Sequence, residues 1–253
     1  MSDQPLLIMK GIKKSFGKIN VLRGIDLEVD YGEIVALVGD NGAGKSTLIK
    51  IITGVHKPDA GEVTYKGNRI TLHSVKESRQ LGIETVYQER ALADQQEMWR
   101  NIFAGREITN IFGFMDVKAQ RRETERLLRE HMGFTSSAIT VNSPVKSLSG
   151  GEKQGIAIGR AIYFHADLII LDEPTMGLAL KETDRVLNFV RGFRDQGKSA
   201  IFIDHNIFHV YDVADRFVIL DRGTVAGQFT KAEISQDELI ANMVHLHHSG
   251  TLQ

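Results

Sequence analysis

The chain has 253 residues, 42% hydrophobic and 25% charged, which are ordinary values for a globular protein and enough for one large domain or two small ones. Its 31 Lys+Arg against 32 Asp+Glu leave a net charge of −1, which argues against a nucleic-acid partner. There is no cysteine, so disulfides, cysteine-ligated zinc and thiol catalysis are excluded.

The start, MSDQPLLIMK, has neither a basic region nor a long apolar stretch, and no secretory signal is expected. Residues 6–38 read as strands. Ile25, Leu27 and Val29 alternate with Asp26, Glu28 and Asp30, giving one buried and one wet face. Tyr31, Gly32 and Glu33 form a turn, and IVALV at 34–38 is the run of a strand buried on both faces. Such short runs fall far below the ~20 apolar residues of a spanning helix, so any membrane role must come through a partner. A helix is predicted over 45–53, turns and short strands over 54–72, and a strand over 83–87 that ends at Gln88.

From 89 the character changes. Residues 117–131 read as a charged helix with a thin apolar face of Leu127, Leu128 and Met132, its charges a solvated surface. A second helix is predicted at 151–165. Strands at 168–171, 200–203 and 217–220 then alternate with helices at 182–196 and 207–214, and a last helix covers 236–244. The pattern predicts an α/β core with an inserted, mostly helical subdomain at about 89–160.

Three short stretches carry chemistry. GDNGAGKST, 39–47, fits G-x-x-x-x-G-K-[ST] in the strand–loop–helix context that a phosphate-binding loop requires. Its small residues let backbone N–H groups turn toward phosphates at a helix N-terminus. The loop residues Gly39, Asn41, Gly42, Ala43, Gly44 and Thr47 would thus cradle a nucleoside triphosphate. Lys45 would reach the β/γ-phosphates and Ser46 would offer its hydroxyl to Mg²⁺. DLIILDEPT, 167–175, is a buried strand that delivers Asp172 to its C-terminal end, where parallel sheets bind ligands. Asp172 is placed to hold Mg²⁺, and Glu173 to orient and deprotonate an attacking water. LSGGEKQ, 148–154, is a second glycine-bearing phosphate reader at a helix start. It makes sense if Ser149, Gly150 and Gly151 of one subunit close on the γ-phosphate held by another.

With these three stretches the sequence resembles the nucleotide-binding subunits of ABC transporters over nearly its whole length. That resemblance implies a P-loop NTPase with a RecA-like core, an N-terminal antiparallel β subdomain and an inserted helical subdomain. In these terms 1–253 is a single ABC ATPase domain, with 1–88 and 161–253 as core and 89–160 as helical subdomain. It also implies ATP and Mg²⁺ as ligands, with Phe16 stacking on adenine (a core phenylalanine is the alternative). Gln88 would sense the γ-phosphate and Mg²⁺, and His205, in IFIDHN, would contact the γ-phosphate. Two departures stand out. Glu152 occupies the position of a signature glutamine, and Ala179 that of an aspartate in the loop after DEPT, which puts coupling between the two sites in doubt. GDNGAGKSTLIKIITGVHKPDAGEV, IETVYQERALADQQEMWRNIFAGREI and HNIFHVYDVADRFVIL look like the ATPases of bacterial ribose, xylose and fructose importers. The implied partners are a second copy of the chain, transmembrane permease subunits and, indirectly, a periplasmic sugar-binding protein. The implied location is peripheral, on the cytoplasmic face of the inner membrane. Residues 89–105 would receive a coupling helix of the permease, with Met98 and Trp99 as exposed apolar contacts, unless Trp99 is a core residue. The competing expectations are a soluble ABC ATPase acting on ribosomes or DNA, a non-hydrolysing regulator, or an importer of another small solute.

Overall fold

A computed structural model describes residues 4–86, 92–130, 139–249 and 251. The chain separates into two compact units, Met1–Thr85 with Ala166–Glu173 and Leu187–Gln253, and Val86–His165 with Pro174–Val186. The second unit takes in the 89–160 expected as a helical insert and also 161–165 and 174–186, which were expected in the core.

The first unit holds two sheets. β1 (Leu7–Phe16) and β2 (Ile19–Val29) form an antiparallel hairpin. β3 (Ile34–Val38) leads into α1 (Lys45–Ile52), and β4 (Ala60–Tyr65), β5 (Asn68–Ile70), α2 (Val75–Gln80) and β6 (Ile83–Val86) follow. The four-stranded sheet runs in the order β2-β1-β4-β5, with every pairing antiparallel. Its alternation is as read: Ile25, Leu27 and Val29 are buried, whereas Asp26 and Glu28 are exposed.

The second sheet is built from the apolar runs. In chain order these are β7 (Leu168–Asp172), β8 (Ser199–Ile203), β9 (Arg216–Asp221) and β10 (Thr224–Thr230), and the sheet order is β10-β9-β3-β8-β7-β6. β3 pairs in parallel with β8 and β9, β7 pairs in parallel with β8, and β10 closes the edge antiparallel to β9. Every residue of β3 and β8 is buried, as strands covered on both faces must be. This core accounts for the hydrophobic cluster that spans Val35, Leu37, Leu48, Ile170, Ile201 and Val218. The unit is completed by α6 (Leu180–Asp195), which begins in the second unit, and by α7 (Ile207–Val213) and α8 (Gln236–Ser249).

The second unit contains α3 (Met98–Phe103), α4 (Val117–Glu130), a 3-10 turn at Val145–Ser147 and α5 (Gly150–Tyr163). Met98 and Trp99 are 0% and 1% exposed, which overturns the expected surface role of Met98 and decides the open choice for Trp99 in favour of the core. The Trp99 indole N–H donates to Glu97 Oε2 at 2.8 Å, and the Arg100 and Arg121 guanidinium groups lie 4.6 and 5.4 Å from its ring. The burial has a simple cause. In this six-residue helix five residues face inward, and Asn101 among them bonds to Ala93, Gln96 and Glu97, pinning the preceding loop. Leu127 and Leu128 are buried as expected and Arg129 pairs with Glu125 at 3.4 Å; Met132 lies outside the described residues.

Candidate active site

The sheet register assembles the site. Asp172, at the end of β7, pairs with Ile203, at the end of β8; Ala36 of β3 pairs with Phe202 of the same strand. The segments after β3, β8 and β7 therefore leave one edge of the sheet side by side, at its carboxyl end. These three segments carry the glycine loop, His205 and Glu173.

The glycine loop is forced by close approach. Gly39 has φ +144°, and a Cβ there would meet the Leu220 carbonyl oxygen at 2.2 Å. Gly44 has φ +110°, and its Cβ would meet the Leu22 side chain at 2.6 Å. Neither position admits a side chain. Between them the loop closes on itself by the bond from Ala43 N–H to Asp40 O (3.1 Å), and Gly223 N–H donates to Ala43 O (3.0 Å). Ser46 and Thr47 sit in the first turn of α1, whose N-terminal N–H groups have no side-chain cap. Those donors remain for an anion.

Lys45 Nζ donates to the carbonyl oxygens of Gly39 (2.5 Å) and Asp40 (3.0 Å). Burial lowers its pKa from the ordinary lysine value, and the charges of Asp40, Glu173 and Asp172 oppose that shift. The mirror image holds at Asp172. Its pKa is raised by burial first and by Glu173 second, against the pull of Lys45, His205 and Lys50. A lysine and two carboxylates thus lie within electrostatic reach of one another at a partly desolvated site. Glu173 adopts φ +52°, unusual for a residue with a side chain, while its N–H donates to Ile203 O at 2.9 Å. Its Oε1 lies 2.8 Å from His205 Nε2. The structure therefore brings Lys45, Asp172, Glu173 and His205 together.

Mg²⁺ fits this donor set. The hydroxyl of Ser46 and the carboxylate of Asp172 are hard oxygen ligands, and one or two of these with substrate phosphates suffice for that ion. Gln88 lies outside the described residues. Phe16 is 42% exposed at the end of β1, its ring edge-on to His56 at 5.1 Å, so the core alternative falls away.

Ser149, Gly150 and Gly151 belong to the second unit. Ser149 caps α5: its Oγ accepts from Glu152 N–H (3.3 Å), while Glu152 Oε2 accepts from Ser149 N–H (2.8 Å). Glu152, the departure from the signature, thus completes a reciprocal cap. A Cβ on Gly151 would meet the Glu182 side chain at 2.7 Å, so glycine is required there by packing as well. Ala179 is exposed at the start of α6, its carbonyl accepting from Glu182 and Thr183 N–H. One neighbour of the loop was not expected: His247 Nδ1, on α8, lies 2.7 Å from Asp40 Oδ2. The two are 207 positions apart, and no sequence motif joins them.

A parallel core sheet with a glycine loop between β3 and α1, and acidic and imidazole groups at its carboxyl edge, defines a P-loop NTPase. The sequence profile described as ABC transporter matches residues 22–176. The xylose/arabinose import ATP-binding protein XylG of Sulfolobus acidocaldarius is 42% identical over 94% of this chain and 93% of its own length. The ribose import ATP-binding protein RbsA of Caldanaerobacter subterraneus is 36% identical over 95% of this chain, which spans 48% of that longer protein. In structure, the ADP conformation of MJ1267, an ATP-binding cassette of an ABC transporter, superposes with a TM-score of 0.83 over 97% of this chain and 99% of that one, at 23% identity. The chain belongs to the ABC transporter family.

Proposed function

We propose that the chain is the ATP-hydrolysing subunit of a membrane importer for a sugar, working as a pair of copies beneath a permease. The observation that carries the reading is the convergence of Lys45, Asp172, Glu173 and His205 at one sheet edge, in a chain similar over nearly its full length to a xylose/arabinose import protein. The import names of the relatives favour this over a ribosome- or DNA-bound ATPase and over a non-sugar cargo. Among the described residues no helix is long and apolar enough to cross a membrane, so the permease must supply the path.

In this reading the glycine loop and α1 bind the phosphates of ATP, and Phe16 stacks on the adenine. Lys45 leaves the Gly39 and Asp40 carbonyls for the β/γ-phosphates. Ser46, Asp172 and Gln88 hold Mg²⁺, which when bound neutralises phosphate charge. Glu173 takes a proton from the water whose oxygen bonds to the γ-phosphorus as the bond to the β-phosphate oxygen breaks, leaving ADP and phosphate. His205 holds the Glu173 carboxylate in place and faces the γ-phosphate. Ser149, Gly150 and Gly151 of the second copy close the site, so ATP joins two copies and hydrolysis releases them. A periplasmic binding protein delivers the sugar to the permease, and the chain lies at the cytoplasmic face of the membrane.

The test is Glu173→Gln. Hydrolysis should fall by about 10²–10⁴-fold, the usual worth of a general base. The variant should run as a dimer on size exclusion with ATP and as a monomer without it. A variant that stays monomeric with ATP, while the wild type turns over, would contradict the two-copy reading.

A further inference from the structure

His205 lies in the short segment between the end of β8 at Ile203 and the start of α7 at Ile207. Its side chain is 51% exposed, so the direction in which it meets Glu173 depends on how that segment is held. The holding groups are its two neighbours. Asp204 Oδ1 accepts from Asn206 N–H (2.8 Å), and Asn206 Oδ1 accepts from Phe208 N–H (3.0 Å), capping α7. His209, in the first turn of the helix, closes the circuit. Its Nε2 lies 3.2 Å from Asn206 Nδ2, and its Nδ1 faces Asp204 Oδ2 at 3.9 Å. The side chains of Asp204 and His209 are 8% and 22% exposed, far more sheltered than that of His205.

These contacts fix where the ring carries its hydrogen. The oxygen of Asn206 is committed to the cap, so the atom facing His209 is the amide nitrogen, which only donates. Nε2 of His209 must therefore accept, and the neutral ring has its N–H at Nδ1, on the side of Asp204. An imidazole in this tautomer joins an amide donor to a carboxylate acceptor. An ionised Asp or Glu at 209 could only accept, and Lys or Arg could only donate. Capping by itself does not call for His209, because Asn206 already supplies the oxygen that α7 needs.

We propose that His209 is a positioning residue for ATP hydrolysis, bracing the segment Asp204–Asn206 so that His205 keeps its place against Glu173. The proposal rests on the roles given above to His205 and Glu173. The residue before His205 and the residue after it face the same imidazole, so the backbone at 205 is clamped from both sides. Loss of the clamp leaves the cap of α7 intact and frees His205 to move relative to Glu173. A displacement of about 1 Å at a reacting group can cost ~10²-fold in rate.

The test is steady-state ATP hydrolysis by the purified full chain and its variants. Leucine and glutamine both form helices better than histidine, but only glutamine keeps an acceptor for the Asn206 amide. His209→Leu should lower kcat roughly tenfold and leave KM for ATP within about twofold, whereas His209→Gln should keep at least about half of the wild-type kcat. Asn206→Ser cuts the same bond from the other side while keeping a capping oxygen. It should lose about as much kcat as His209→Leu, and the double variant no more than either, because the two changes remove one interaction. If His209→Leu shows no melting transition, the kcat of Asn206→Ser decides. Equal losses with leucine and glutamine, a loss confined to KM, wild-type turnover in His209→Leu, or multiplied losses in the double variant would each overturn the proposal. His205→Ala tests the underlying reading separately. Full turnover in that variant removes the role given to His205, whereas its loss beside an undiminished His209→Leu removes only the clamp.

Discussion

Asp172 is held in the folded chain with its proton bound more tightly than in the unfolded one, because burial and the neighbouring Glu173 disfavour its charge. The folded state then binds more protons in the window just above the ordinary aspartate value of 3.8, and stability falls as pH rises through it. Replacing the charge with an isosteric amide removes that penalty. Asp172→Asn should raise the melting temperature of the nucleotide-free chain at pH 7, and the gain over wild type should vanish below pH 3.8. Hydrolysis by the same variant should fall by about 10²–10³-fold, the usual loss when one electrostatic contact of a reacting site is removed. A lower melting temperature at pH 7 would show that Asp172 serves the fold instead. At this scale most of the site was legible in the sequence, because Gly39, Lys45, Asp172 and His205 each lie at a strand end or helix start with a fixed spacing. The approach of His247 to Asp40 was not, since it depends on where α8 packs and on nothing local.

The elements divide by length and surroundings. β3, β7, β8 and β9 were readable as apolar runs because a parallel sheet leaves them no wet face. Missing from the sequence reading were α2, α3 and β10. The two helices are six residues each, too short for a periodic pattern, although Ser74 with Glu77 three residues on is a start signal that marks α2. β10 reads TVAGQFT, with Gly227 at a register shift and an exposed edge, so it shows neither alternation nor an apolar run. The two readings left open for Trp99, contact or core, have the same origin: so short a helix reveals no face. Its burial makes a prediction. Trp99→Ala should cost about 3–5 kcal/mol, as large aromatic deletions from a core do, read as the midpoint of urea unfolding. A change under ~0.5 kcal/mol, normal for a surface site, would mean that Trp99 is a contact residue after all.

For the whole molecule the account depends on a site that no single copy completes. In the proposed reading one half is the glycine loop with Asp172, Glu173 and His205, and the other is the α5 cap of a second copy. Ala179, where the resemblance implies an aspartate, is exposed just before α6. Two damaged chains should therefore repair each other. Lys45→Ala removes the phosphate-binding ammonium and keeps the cap, and Ser149→Arg obstructs the cap and keeps the ammonium. The most direct measurement is ATP hydrolysis by each variant alone and by an equimolar mixture. The account predicts near-zero rates for the separate proteins and clear recovery on mixing, because one of the two sites in a mixed pair is intact. A mixture no faster than the average of its components, or a Ser149→Arg chain with undiminished turnover by itself, would contradict it.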